Sequence, residues 1–355
     1  MKMNKYLAVL AFLLFLTLLH FDDNRLYAQD NGGEQDKVIL ITLDGLRWQE
    51  LFTGADPNLI ANKSYVSDST SLKEKFWRDN PEARRKALMP FIWNRVAEMG
   101  TIHGNRTLGS KVNLTNNMVF SYPGYNEILT GRADDERIDS NDKMNNPNIT
   151  ILEELNNMSE YKGKVAAFGS WDVFPYIINE ERSGVPVNAG FESARGDNLT
   201  RIERFLNKEQ PRTPSPWGSV RLDMFTHNYA LEYMKRKHPD IVYIAYGETD
   251  DFAHDGDYQA YLNSAHSTDS FLRELWNYTQ EDPYYKDQTT FIITTDHGRG
   301  TQPLYTWRSH GTDIEGAEQV WLIMYGAQIE PEGEVKRQEQ LYSPEVVEII
   351  KSITF

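Results

Sequence analysis

Five short apolar, β-branched runs punctuate the chain, at residues 37–43 (KVILITL), 164–169 (KVAAFG), 240–246 (DIVYIAY), 289–295 (TTFIITT) and 320–326 (VWLIMYG). Runs of this length without polar alternation read as strands buried on both faces. Between them the apolar positions recur at helical spacing: over 72–99 with a break near Pro81, then over 149–157, 220–237, 258–278 and 344–353. Residues 112–120 lead into SYPGYNEILTGR, where Pro123 suits the first position of a further helix, because a first-turn N–H has no intrahelical acceptor to lose. Buried strands alternating with helices predict an α/β fold: a mostly parallel central sheet with helices on both faces. No internal repeat, low-complexity tract or linker interrupts residues 37–355, which read as a single domain behind a short polar leader at 30–36.

The first residues follow a different logic. Lys2 and Lys5 precede an apolar run over 6–19, and polar residues then lead to Ala28. That layout predicts a secretory signal peptide over 1–28, exported by the Sec route to the periplasm or exterior. The run is short for a full span, so no stable membrane insertion is expected after cleavage. The chain has no cysteine, which excludes disulfides, a thiol nucleophile, a lipidated cysteine and any zinc–thiolate centre. A formal charge of −15 with no basic stripe argues against a nucleic-acid duplex as partner.

The chemistry concentrates where strands end. The run FIITTDHGRG closes a buried strand with Asp296, His297 and Gly298, two common metal ligands in place of a simple turn. Asp44 follows the first strand, and Asp250 follows the third in YGETDDFAH. In open α/β sheets ligands bind beyond the carboxyl ends of the strands, so three strands would deliver carboxylates to one edge. Asp250 and His254 are four apart and share a face if the loop turns helical, with Asp251 as the alternative to Asp250. His310 follows in WRSHGTD. Asp44, Asp250, His254, Asp296, His297 and His310 are too many ligands for one tetrahedral ion with an open position, and suit two divalent ions, zinc first and manganese second. Two adjacent ions form the clamp used in phosphoryl displacement. Ser121, ahead of a Pro-Gly pair and a helix, supplies a nucleophile, with simple N-capping as its competing role.

Taken in order, Asp44-Gly45, Ser121-Tyr-Pro, Asp250-x-x-x-His254, Asp296-His297-Gly298 and Ser309-His310-Gly311 resemble the alkaline phosphatase superfamily, most closely its type I phosphodiesterase/nucleotide pyrophosphatase branch. The resemblance spans nearly all the chain after residue 28 and implies an alkaline-phosphatase-like fold. It implies that Asp250, His254 and His310 hold one zinc, while Asp44, Ser121, Asp296 and His297 hold or face the other. It implies a phosphoserine at Ser121, where the branch usually has threonine, and an asparagine on a phosphate oxygen. Asn141 fits that role, with Asn145, Asn146 and Asn148 as competitors. The branch carries Thr-Phe-Pro-Asn-His where this chain has Ser-Tyr-Pro-Gly-Tyr, so the contacts flanking the phosphate differ.

The expected function is an exported two-metal hydrolase of a small phosphate ester. A sulfatase would need an arginine two residues after Pro123, where Tyr125 stands, and a cofactor-independent phosphoglycerate mutase a large insertion between 121 and 250. A phosphomonoesterase would want an extra cation, for which Arg47, Arg132, Arg299 and Arg308 lie near the motifs. The rival of another class is a secreted binding protein with a closed structural metal site, which would carry no poised nucleophile. Substrate choice is expected in the loops at 52–80 and 171–215; no pattern speaks to the oligomeric state.

Overall fold

In the first strand, alternate side chains leave for opposite layers. Ile39, Ile41 and Leu43 join one apolar cluster and Val38 and Leu40 another, all at most 1% exposed. The structure is a computed structural model that describes residues 36–355; the expected signal peptide lies outside the described residues. Its main sheet has eight strands: β1 (Lys37–Leu43), β2 (Gly100–His103), β3 (Val165–Gly169), β4 (Val187–Ala189), β5 (Ile241–Tyr246), β6 (Thr289–Thr294), β7 (Leu322–Gly326) and β8 (Gly333–Glu334), in the order β8-β2-β7-β6-β1-β5-β3-β4. From β6 to β4 every neighbouring pair is parallel, and β7 alone runs against its neighbours β6 and β2. The expected architecture, a mostly parallel sheet with helices around it, is what the chain adopts. A three-stranded sheet, in the order Glu339–Tyr342, Ser110–Asn113, Gln319–Val320, lies beside it.

Helices cover both faces. Leu231, Met234, Leu262, Leu272 and Leu275, from α2 (Asp223–Lys237) and α4 (Tyr258–Glu281), fill the first cluster. Tyr122, Tyr125, Ile128 and Leu129 of α1 (Ser121–Thr130), with Val346 and Ile350 of α5 (Glu345–Thr354), fill the second. Each buried aliphatic of this kind contributes about 1.5–3 kcal/mol, so the sheet's double-sided burial dominates the fold's stability. Among the described residues no helix is long and apolar enough to cross a membrane.

Several boundaries move, each for a local reason. The expected 72–99 helix splits into Ser69–Phe76 and Pro81–Leu88, with Asn80 accepting from Ala83 N at the break, then passes through a wide turn at Ile92–Val96 into β2. The run at 320–326 divides between the two sheets, Gln319–Val320 pairing with the small one and Leu322–Gly326 with the large. The helix expected to open at Pro123 opens at Ser121, so Pro123 is its third residue; the first turn has no donors to lose, and the proline fits there too. The short strands β2, β4 and β8 are two to four residues long and are defined by pairing rather than by any run of their own.

Register brings the strand ends together. Leu43 pairs with Tyr246 and Thr42 with Thr294, so the chain segments after β1, β5 and β6 leave the same edge of the sheet side by side.

Candidate metal centre

Ser121 is set by the loop before it. Glu127 of α1 is fully buried and accepts from Thr115 N, Thr115 Oγ1 and Asn116 N, tying residues 115–116 back to the helix they precede. Asn116 Oδ1 accepts from Val119 N at 2.7 Å, and Val119 sits at φ 55°, a costly conformation for a β-branched residue. The chain thereby turns sharply into α1, whose N-cap is Phe120. Ser121 is therefore not the cap. Its Oγ lies 3.4 Å from His297 Nε2. Close approach on the other side explains Gly124, where a Cβ would stand 2.2 Å from the carbonyl oxygen of Asp296.

The other predicted residues gather beside it in two trios whose donor atoms all lie within 4.8 Å of one another: Asp44, Asp296 and His297, and Asp250, His254 and His310. In the first, His297 Nε2 lies 3.3 Å from Asp44 Oδ1 and 3.5 Å from Asp296 Oδ2. In the second, His254 Nε2 lies 3.2 Å from Asp250 Oδ2 and 3.0 Å from His310 Nε2, and His310 Nε2 is 3.7 Å from Asp250 Oδ1. Asp250 Oδ1 is also 3.6 Å from His297 Nε2, and the rings of His297 and His310 stack with centroids 3.9 Å apart, so the trios are contiguous. Their exposure differs: the His297 side chain is fully buried, and that of His254 is 46% exposed. Solvent reaches the cluster at the His254 end.

These groups fit divalent cations. His297 Nδ1 faces Gly298 O at 2.9 Å and donates to it, which turns Nε2 toward the carboxylates of Asp44 and Asp296. Asp44 Oδ1 and Asp296 Oδ2 are buried with no hydrogen-bond partner among the described residues. Acceptors converging without a donor are costly unless a cation sits among them. The spacing agrees: two nitrogens on one tetrahedral zinc stand roughly 3.3 Å apart, against the 3.0–3.7 Å separations within the trios.

The electrostatics follow from this crowding. Burial, and then Asp250, hold the Asp44 carboxyl well above its usual range, against the hydrogen bond from Tyr125. Burial, and then Asp44, do the same to Asp296. Burial opposes ionisation of Asp250 too, but the Arg299 guanidinium and His254 outweigh it and hold Asp250 well below its usual range. Burial, then His297, push His310 down to about 2, keeping it neutral and able to ligate. Asp251, the alternative to Asp250, is outside both trios; burial and then Asp250 raise it to about 8.

Asn141 lies at the helix entrance, its Oδ1 accepting from Tyr122 N at 3.0 Å. Its competitors divide: Asn145 is exposed, while Asn146 and Asn148 are buried in a network with Asn126, Arg182 and Asp134. The four arginines are all engaged by protein groups: Arg47 with Glu50, Arg132 with Asn148 Oδ1, Arg308 with His254 O, and Arg299 with Asp250, Gly45 O and Arg308 O. Arg299 is thus a buried partner of a candidate ligand. Gly45, at φ 59°, leaves it room, since a Cβ there would stand 2.9 Å from Arg299 Nε. Sequence reading missed two contacts to Asp44, from the Tyr125 hydroxyl to Oδ2 at 2.8 Å and from Thr249 Oγ1 to the carbonyl. Tyr125 is one helical turn from Ser121, and that spacing is the signal that could have found it.

Residues 196–350 match the sequence profile of the metalloenzyme superfamily. No curated protein sequence matches the chain at a significant level. Solved structures share its fold at low identity. The alkaline phosphatase PafA is 9% identical with a TM-score of 0.60, over 90% of this chain and 96% of that one. The lipoteichoic acid synthase LtaP from Listeria monocytogenes is 11% identical with a TM-score of 0.56, over 90% and 72%. The phosphonate monoester hydrolase SpPMH from Silicibacter pomeroyi is 14% identical with a TM-score of 0.53, over 90% and 73%. The match over residues 196–350 and the fold shared with these structures support the resemblance to the alkaline phosphatase superfamily of metalloenzymes, at a level above its phosphodiesterase branch.

Proposed function

We propose that the chain is an exported hydrolase of phosphate esters that works with two divalent metal ions, zinc first and manganese second, and passes through a phosphoserine at Ser121. Residues 37–355 form its catalytic domain, and 1–28 its cleaved signal peptide. The observation that carries this reading is the position of Ser121 Oγ, 3.4 Å from His297 Nε2, at the edge of two contiguous ligand trios. Asp44, Asp296 and His297 would hold one ion and Asp250, His254 and His310 the other. Ions so held supply Lewis acidity that neutralises phosphoryl charge and lowers the pKa of a nearby hydroxyl or water.

The chain's own groups do the rest. Ser121 opens α1, where the positive end of the helix dipole favours a phosphoryl anion. Its Oγ bonds to phosphorus as the ester P–O bond breaks, and its proton leaves with the departing alkoxide as an alcohol. Water then attacks the phosphoserine and returns a proton to Ser121. Asn141, holding Tyr122 N with Oδ1, keeps its amide N–H groups for a phosphoryl oxygen. A diester is favoured over a monoester, because the four arginines near the motifs are engaged by protein groups, leaving less free positive charge for a dianion.

Purified protein lacking residues 1–28 tests the reading with p-nitrophenyl phosphate and bis-p-nitrophenyl phosphate, zinc-loaded and after chelation. Chelator-sensitive turnover, faster on the diester and lost by at least about a thousandfold in Ser121→Ala, is the expected result. A folded, zinc-loaded protein that turns over neither ester would count for the binding-protein alternative.

A further inference from the structure

Helix α2 and the helix that carries Asp250 and His254 cap one another at their N-termini. Asp223, the first residue of α2, accepts from Gly247 N at 2.8 Å and Glu248 N at 3.2 Å, the entrance of α3 (Glu248–Asp255). Glu248 returns the contact, its Oε1 accepting from Asp223 N at 2.9 Å. Each helix thus spends a side chain on the other's free N–H groups, where capping residues ordinarily serve their own helix. Ser170, directly after β3, closes the arrangement: its hydroxyl donates to Asp223 Oδ1 at 2.6 Å, and its backbone N donates to Ala245 O of β5. Asp223 and Ser170 are at most 1% exposed. Packing leaves no slack, since a Cβ on Gly247 would stand 3.0 Å from Val220 and 3.3 Å from Ser170.

α3 is short, eight residues, and carries both Asp250 and His254. Its direction leaves β5 through a single residue, Gly247, so the capping contacts set how those two side chains project. We infer that Asp223 is a positioning residue for the Asp250/His254/His310 ion: it fixes the entrance of α3 to α2 and the sheet so that Asp250 and His254 meet His310. The inference rests on the proposed function above. Groups behind metal ligands commonly tune affinity by about 10–100-fold.

Zinc binding by equilibrium dialysis tests it on wild type, Asp223→Ala, Asp223→Asn and Ser170→Ala, with His254→Ala reporting the Asp44/Asp296/His297 site alone. Asp223→Ala is expected to weaken one site by about tenfold or more and leave the other at the His254→Ala value. Asp223→Asn, which keeps an acceptor oxygen, is expected to recover part of the loss. Ser170→Ala removes only the supporting hydroxyl, and is expected to weaken the same site by a smaller factor if Asp223→Ala does not fold. Wild-type affinity at both sites in the folded variants, with only the melting temperature lowered, would make Asp223 a plain structural cap and overturn the inference. Wild-type protein that binds no zinc would instead overturn the two-metal reading, and the inference with it.

Discussion

The hydroxyl of Tyr125 donates to Asp44 Oδ2 at 2.8 Å, while Asp44 Oδ1 has no hydrogen-bond partner among the described residues and faces His297 Nε2 at 3.3 Å. One carboxylate oxygen is thereby occupied and oriented by α1, and the other is left for a cation. Burial, then Asp296 and Asp44, hold the phenol far above its usual pKa, so it remains a donor. Tyr125→Phe fills the same buried space and removes only the O–H. The variant is expected to fold and to bind zinc about tenfold more weakly. Equal affinity by calorimetric titration would show that Asp44 is held in place by the backbone alone.

Much of this arrangement could be read from the sequence, and the part that could not has a physical reason. The strands that precede Asp44, Asp250 and Asp296 announce themselves because every position is buried and most are apolar or β-branched. The candidate ligands could be read because strand ends in a parallel sheet share an edge. β2, β4 and β8 could not, since strands of two to four residues are defined by what they pair with. Pro123 misled because proline is acceptable at several first-turn positions, and the turn at Val119 that decides the start carries no glycine or proline of its own. Asp223 escaped notice because its partner, Glu248, is 25 residues away and their contact exists only once both helices are packed. Arg299 read as a spare cation for substrate, and only the fold reveals that it spends its charge on Asp250.

Arg299 yields the second prediction. Its side chain is fully buried against Asp250, and both partners were taken out of water to make the contact. Removing one member of a buried pair leaves the other uncompensated, at a cost of about 3–5 kcal/mol. Arg299→Met is therefore expected to destabilise metal-free protein by roughly that amount. A divalent ion beside Asp250 would replace the lost charge, so zinc is expected to restore much of the loss. Melting curves of wild type and variant with zinc and with chelator check this, and an equal deficit under both conditions would contradict it.

Asp269 gives a pH dependence remote from the candidate ligands. Its carboxylate accepts from Phe91 N at 2.8 Å and Ile92 N at 2.9 Å, yet burial raises its pKa from 3.8 to about 7. The folded state then binds this proton more tightly than the unfolded chain. Its contribution to stability is fully present below pH 3.8 and is lost as pH rises through about 7. Asp269→Asn keeps an acceptor and cannot ionise. Relative to the variant, wild type is expected to lose up to about 4 kcal/mol between these limits. Urea midpoints of both proteins from pH 4 to 8 measure the difference, and parallel curves would exclude it.

Asn141 and Asn148 differ in exposure, and that difference separates a catalytic effect from a structural one. Asn141 is exposed, with Oδ1 on Tyr122 N beside Ser121. Asn148 is 1% exposed, donates to Asp134 Oδ2 at 2.7 Å and Asn126 Oδ1 at 3.2 Å, and accepts from Arg132 and Arg137. In the proposed function, Asn141→Ala would remove a donor from the place where phosphoryl charge develops, with little packing to disturb. It is expected to lower kcat on the diester by about a hundredfold, at unchanged melting temperature and zinc content. Asn148→Ala leaves buried polar partners unsatisfied and is expected to cost about 1–3 kcal/mol of stability, with a smaller effect on kcat. The reverse pattern would move the phosphate-binding role from Asn141 to Asn148, because a group that contacts the phosphoryl oxygen but carries no packing changes kcat at unchanged stability.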